Sequence, residues 1–217
     1  MVVRVKICGV TREEDVAVAV SAGADAVGFI AGFDGTPRNI TLARAAELIR
    51  RVPPFVDSVL VTTSALITKE EAQVRRLGPD VIQLYGDHVD PQEVRDTFGV
   101  RLIRPYLLKR PDPEEAKFEA RGYDALLTDT YRAGRHGGTG TASDWSMCQS
   151  IRLALDPIPM VLSGGLNPEN VGASIGRVRP FAVDVSSGVE SSPGLKDARR
   201  VREFVKRAKE ADGDILR

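Results

Sequence analysis

The chain is expected to fold as a single (β/α)8 barrel spanning residues 1–217, and three observations carry that expectation. Short apolar runs alternate with longer amphipathic stretches from one end to the other, the rhythm of parallel strands joined by crossover helices. About eight such pairs fit into 217 residues, at roughly 27 residues per unit. The first strand ends Lys6-Ile7-Cys8-Gly9-Val10-Thr11 without the GxGxxG loop that announces an open doubly wound sheet.

The elements follow in order. A strand over 2–8 turns at Gly9 into a helix over 12–21. Thr11 stands at its cap, Glu14 completes a capping-box spacing, and Val16, Ala19 and Val20 share a face. Ala22-Gly23 ends that helix, and a second strand covers 25–30. Helices over 42–51, 69–77, 91–98 and 113–121 precede strands over 56–62, 80–84, 100–106 and 124–129. The last third repeats the pattern: helix 144–155, strand 158–163, helix 168–175, strand 181–186, and a closing helix over 194–210. The stretches 31–40 and 131–143 are the longest loops. Both would lie at the C-terminal ends of strands, where barrel enzymes keep their substrate contacts.

Composition narrows the function classes. With 30 Lys plus Arg against 30 Asp plus Glu the net charge is zero, so no basic excess points to nucleic acid or an acidic membrane. No apolar run approaches the roughly 18 residues of a membrane span. The N-terminus lacks the basic-then-apolar order of a secretory signal, and a cytoplasmic location is expected. Cys8 and Cys148 make neither a disulfide framework nor a CxxC pair. His88 and His136 have no metal-ligand spacing to any Cys or acidic pair, so no metal is expected.

Reactive side chains at strand ends are the candidates for chemistry. Strand alternation puts Lys6 and Cys8 on one face, where a neighbouring ammonium or a helix N-terminus would lower the thiol pKa. Asp129 closes the apolar run Ala125-Leu126-Leu127, and a carboxyl group buried there would be pushed toward the range of a general acid. Gln83, Tyr85 and Asp184 also end strands, and Cys148 reads as packing. Arg38, in Thr36-Pro37-Arg38, could hold a carboxylate with its planar fork, or be a surface loop arginine. Glycines gather late, at Gly137, Gly138 and Gly140, at Gly164 and Gly165, and at Gly188. Ser163-Gly164-Gly165 and Ser186-Ser187-Gly188 each open a helix after the last two strands, where barrels hold a phosphate with backbone N–H groups. A base and an acid across a barrel mouth, beside a phosphate site, suit proton transfer on a phosphorylated sugar.

The motifs, taken together and in order, resemble the phosphoribosylanthranilate isomerase family of tryptophan biosynthesis. They are Val5-Lys6-Ile7-Cys8-Gly9, Gly23-Ala24-Asp25-Ala26-Val27-Gly28-Phe29, Pro37-Arg38, Gln83-Leu84-Tyr85-Gly86 and Leu126-Leu127-Thr128-Asp129. They continue with Gly137-Gly138-Thr139-Gly140, Asp144-Trp145, Ser163-Gly164-Gly165-Leu166-Asn167-Pro168-Glu169-Asn170, Val183-Asp184-Val185-Ser186-Ser187-Gly188-Val189-Glu190 and Gly194-Leu195-Lys196-Asp197. The resemblance implies a (β/α)8 barrel that isomerises N-(5-phosphoribosyl)anthranilate by an Amadori rearrangement without a cofactor. It implies Cys8 as general base, Asp129 as general acid and Arg38 as anchor of the anthranilate carboxylate. Gly164, Gly165, Ser186, Ser187 and Gly188 would hold the phosphate, with Gly138 and Asp184 near the substrate. The chain departs from the family pattern at Tyr85, where histidine is frequent, in the segment before Pro37, and at the end of the third strand. The competing expectation is another cofactor-free sugar-phosphate barrel, an epimerase or a synthase. The oligomeric state expected is a monomer or a homodimer.

Overall fold

The structure, a computed structural model, describes residues 2–86, 89–108, 110–129, 131–132, 135–136 and 144–215. Eight parallel strands close into a barrel: β1 (Arg4–Ile7), β2 (Ala26–Ile30), β3 (Asp57–Thr63), β4 (Val81–Tyr85), β5 (Arg101–Leu107), β6 (Ala125–Asp129), β7 (Met160–Leu162) and β8 (Ala182–Val185). Each strand pairs with its sequence neighbours, and β8 pairs with β1 through Lys6 opposite Asp184 and Ile7 opposite Val185. The helices around the barrel are α1 (Glu13–Ser21), α2 (Leu42–Ile49), α3 (Ser64–Lys69), α4 (Glu71–Leu77), α5 (Pro91–Phe98), α6 (Pro113–Glu119), α7 (Trp145–Leu155), α8 (Val171–Val178) and α9 (Ala198–Ile215).

Alternation along each strand sorts side chains into two cores. Val5, Ile7, Phe29, Leu60, Ile82, Leu102, Leu126 and Val183 point outward and pack beneath the helices with Leu48, Ile151 and Phe204. Each such buried side chain is worth about 1.5–3 kcal/mol over leaving it in water. The opposite parity fills the barrel. Val59, Val61 and Val81 form one interior cluster with Cys8, and Ala125, Leu127, Val161 and Ala182 form another. Lys6, Gln83 and Asp184 are buried on this inner parity. The same parity carries Cys8, Tyr85, Asp129 and Ser163 to the C-terminal mouth.

Four local expectations change. Thr11 does not cap α1: its hydroxyl donates to the Gly194 carbonyl at 2.9 Å, and Arg12 is the cap residue, its side chain bonded to Asp15 rather than to a helix amide. Glu13, Glu14 and Asp15 supply negative charge to that helix start instead. The single helix expected over 69–77 is two, because Thr63 caps an extra turn through the Leu66 amide at 3.2 Å and the chain breaks at Glu70. The closing helix starts at Ala198 rather than Gly194, because Glu190–Ser192 and Leu195–Lys196 pair as a short antiparallel hairpin. The helix expected over 168–175 starts at Val171, after a turn in which Asn170 Oδ1 accepts from the Asn167 amide.

Candidate active site

The strand order sets the site's width. Cys8 continues β1, its amide donating to the Val185 carbonyl at 2.8 Å, and Asp129 ends β6, so β8 and β7 lie between them. The same inner parity and the curvature of the barrel aim both side chains into the mouth from separated arcs of the rim. Tyr85, at the end of β4, sits among them. Burial, together with the charges of Asp129, Cys8 and Asp184, holds its phenol well above the usual tyrosine range. Phe33 meets the Tyr85 ring edge-on, with centroids 5.2 Å apart.

Below Cys8 lies a buried polar layer. Lys6 Nζ donates to Asp184 Oδ1 and to Gln83 Oε1, both at 2.9 Å, and Ser163 Oγ donates to Asp184 Oδ2 at 3.3 Å. Gln83 Nε2 reaches the Tyr85 hydroxyl at 3.3 Å. Gly28 makes room for this layer: a Cβ there would fall 2.8 Å from Cys8 Sγ and 3.2 Å from Lys6 Cε. Sulfur and ammonium stem thus crowd over one glycine. Burial nevertheless raises the Cys8 thiol above its ordinary pKa of 9.0, and the Lys6 charge offsets only part of the shift. The expected depression of the thiol pKa is therefore corrected. The Lys6 ammonium is committed to Asp184, whose negative charge opposes ionisation of the sulfur.

Two loops meet on the arc of the mouth between Cys8 and Asp129. Gly164 and Gly165 follow β7, and Ser187–Val189 form a single 3-10 turn after β8. A Cβ on Gly188 would lie 1.9 Å from the Leu166 carbonyl oxygen, so only glycine permits this contact between the loops. Among the described residues, Ser186 Oγ is buried with no hydrogen-bond partner, close to the Gly9 backbone. A hydroxyl in that state is a donor waiting for an acceptor. The expectation that Ser163-Gly164-Gly165 opens a helix is corrected, because α8 starts only at Val171 and both glycines adopt left-handed backbone (φ 94° and 69°). It is loop backbone rather than a helix first turn that would face an anion here. The expected substrate residue Gly138 and its loop, with His88, lie outside the described residues.

Arg38 is placed by the loop after β2, which returns beside its own strand through a bridge between Ile30 and Asn39. The guanidinium is only 13% exposed, so it is not a surface loop arginine. It forms a two-pronged pair with Glu190, Nε to Oε1 at 2.8 Å and Nη2 to Oε2 at 2.6 Å. Lys196 Nζ, wholly buried, reaches the same carboxylate at 2.9 Å. Sequence reasoning assigned no part to Glu190 or Lys196. The available signal was Glu190-Ser-Ser-Pro-Gly-Leu-Lys196, opposite charges flanking a Pro-Gly turn at hairpin spacing.

The family profile described as N-(5'phosphoribosyl)anthranilate (PRA) isomerase matches residues 5–207. The chain belongs to this family. An N-(5'-phosphoribosyl)anthranilate isomerase of Bordetella petrii is 42% identical over 220 residues, covering 99% of this chain and 98% of the relative. One from Bordetella avium is 40% identical over 221 residues, 98% of each. The phosphoribosyl anthranilate isomerase structure from Thermotoga maritima superposes with a TM-score of 0.82 at 37% identity, covering 96% of this chain and 99% of that one. A second isomerase structure, solved with reduced 1-(o-carboxyphenylamino)-1-deoxyribulose 5-phosphate, gives a TM-score of 0.78 at 36% identity with the same coverage. The chain therefore shares both the barrel and the family of proteins that carry this isomerase name. Among the described residues, no helix is long and apolar enough to cross a membrane.

Proposed function

We propose that this chain performs the isomerisation for which its family is named, converting N-(5'-phosphoribosyl)anthranilate to 1-(2-carboxyphenylamino)-1-deoxyribulose 5-phosphate, with Asp129 as acid and Cys8 as base. What supports the assignment is that Cys8 and Asp129, on strands three apart, reach the mouth on the same inner parity, where the half-buried Tyr85 feels the charge of both. Asp129, as the neutral acid, gives its proton to the ribose ring oxygen while the C1'–O bond breaks. The amine lone pair moves into the C1'–N bond and leaves an iminium. That cation acidifies the neighbouring C2' hydrogen, which Cys8 removes as thiolate, and the electron pair returns through C1' to nitrogen. The resulting enolamine relaxes to the ketone by moving one proton from the 2'-oxygen to C1'. Asp129 ends ionised and Cys8 protonated, and one proton passing from the thiol to the carboxylate by way of solvent restores both, so atoms and charge balance over the cycle without a cofactor. Placed groups of this kind contribute about 10² to 10⁴ in rate, and holding both ends of the substrate adds orientation.

The anchors are assigned as follows. Gly164, Gly165, Ser186, Ser187 and Gly188 take the phosphate, supported by the unpartnered Ser186 hydroxyl and the tight loop contact at Gly188. Arg38 takes the anthranilate carboxylate, a feature that an epimerase or synthase acting on a plain sugar phosphate would not need. Asp184 acts from beneath, tied to Lys6. Gly138 is assigned to the substrate by family resemblance. The chain works as one domain in the cytoplasm, as monomer or homodimer, on a small phosphorylated substrate and without nucleic acid or membrane.

The test is Arg38→Ala assayed with phosphoribosylanthranilate. A Michaelis constant raised about tenfold or more is expected, the value of one charge-assisted bond pair. An unchanged constant would return the competing sugar-phosphate reading.

A further inference from the structure

The ion cluster that holds Arg38 has a charge of its own. Arg38 and Lys196 are two cations against the single anion Glu190, so one positive charge remains in a largely buried place. The carboxylate is only 5% exposed and is tied to both cations by hydrogen bonds. Burial alone would raise the Glu190 pKa, but Arg38 and Lys196 together hold it below the ordinary value of 4.5. Lys196 is also fixed from the other side by the Ser186 carbonyl at 3.1 Å, at the start of the expected phosphate loop. Glu190 and Lys196 stand opposite each other in their hairpin. Thr11, in the loop after β1, donates to the Gly194 carbonyl in the turn of that hairpin. The loops after β8 and β2 thus lock together on this carboxylate, and the loop after β1, their neighbour around the barrel, holds the turn of the same hairpin.

The consequence is directional. Glu190 occupies the Nε and Nη2 edge of the guanidinium, and the Nη1 end has no protein partner among the described residues. A five-donor fork with one edge filled keeps a fixed plane and offers its remaining donors in one direction. We propose that Glu190, backed by Lys196, is a positioning residue that fixes Arg38 so that its free donors and the surplus charge of the cluster select a substrate bearing one carboxylate. This deepens the proposed function and rests on its assignment of Arg38. Neutralising the cluster completely would remove the attraction, and omitting Glu190 would leave the arginine free to rotate. A single acidic residue between two basic ones gives both fixation and a net charge of the right sign.

The experiment compares two substrates, phosphoribosylanthranilate and the phosphoribosyl adduct of aniline, which lacks the carboxylate. Wild type is expected to prefer the first through a lower KM. Glu190→Gln enlarges the surplus charge but removes the two-pronged clamp. Because fixation of the Arg38 plane outweighs the added charge, it should raise KM for the carboxylated substrate about tenfold, leave kcat within about twofold, and leave both constants for the aniline adduct unchanged. Glu190→Asp, which keeps the charge but draws the carboxylate back by one methylene, should show the same pattern in smaller measure. It also serves if Glu190→Gln does not fold. Equal losses on both substrates would mark Glu190 as a structural residue and overturn the proposal, as would unchanged discrimination in either folded variant. Arg38→Met separates the two levels. If it abolishes discrimination while the Glu190 variants preserve it, only the Glu190 proposal fails. If wild type does not discriminate at all, the Arg38 assignment fails with it.

Discussion

Cys8 shows how a residue can be placed correctly and its chemistry misjudged. Its face and its neighbour Lys6 follow from strand alternation, which needs only local sequence. Its pKa depends on where the Lys6 charge is spent, and that partner, Asp184, lies 178 positions away. Desolvation therefore dominates and the thiol rises. The proposed mechanism requires Cys8 ionised while Asp129 keeps its proton. That pairing holds a constant share between the two pKa values and declines above the higher one, that of the thiol. The alkaline limb of kcat/KM is accordingly expected above pH 9.0, the ordinary thiol value. A limb near neutrality, read from initial rates across pH, would contradict a buried thiol as base. Arg38 makes the same point: its loop position was legible, whereas its occupation by Glu190, 152 positions later, was not.

Elements were legible where one local signal sufficed. Asp90 and Asp112, each before a proline at the first helical position, cap α5 and α6 as such sequences do. Thr11 had the same kind of signal but lost to a tertiary acceptor, the Gly194 carbonyl. The hairpin after β8 was hidden because its strands are only three and two residues long and run straight into a helical pattern. The two loops proposed to hold the phosphate stand out in the sequence by their glycines, although the reason for Gly188 does not: it is a contact with another loop, not a turn. Gly188→Ala must push the Leu166 carbonyl away, at a cost of about 1–3 kcal/mol for an overpacked site. Inorganic phosphate should then inhibit at least tenfold more weakly, measured by competition against substrate. Undiminished inhibition would remove these loops from the phosphate site.

At the scale of the whole molecule, the pair Lys6–Asp184 joins the first strand to the last inside the barrel. Parallel alternation made the closed barrel legible, since eight βα units have few other ways to bury both faces of their strands. The polar layer within it was only partly so, because a buried lysine is tolerable solely with its partners in place. Breaking such a pair from one side leaves an unpaired buried charge and costs about 3–5 kcal/mol. Lys6→Met is therefore expected to lower the thermal midpoint by on the order of 10 °C in a chain of this size. The added change Asp184→Asn should recover part of it. A midpoint within about 2 °C of wild type for Lys6→Met would show that the layer does not hold the barrel together.

The most direct measurement follows the fluorescence of the anthranilate group as purified protein is added to phosphoribosylanthranilate. Wild type should extinguish the substrate signal, while folded Cys8→Ala and Asp129→Ala proteins should each be at least about a hundredfold slower, the low end of what a placed acid or base contributes. A Cys8→Ala protein turning over within a fewfold of wild type would contradict the assignment of the thiol as the base that takes the C2' proton.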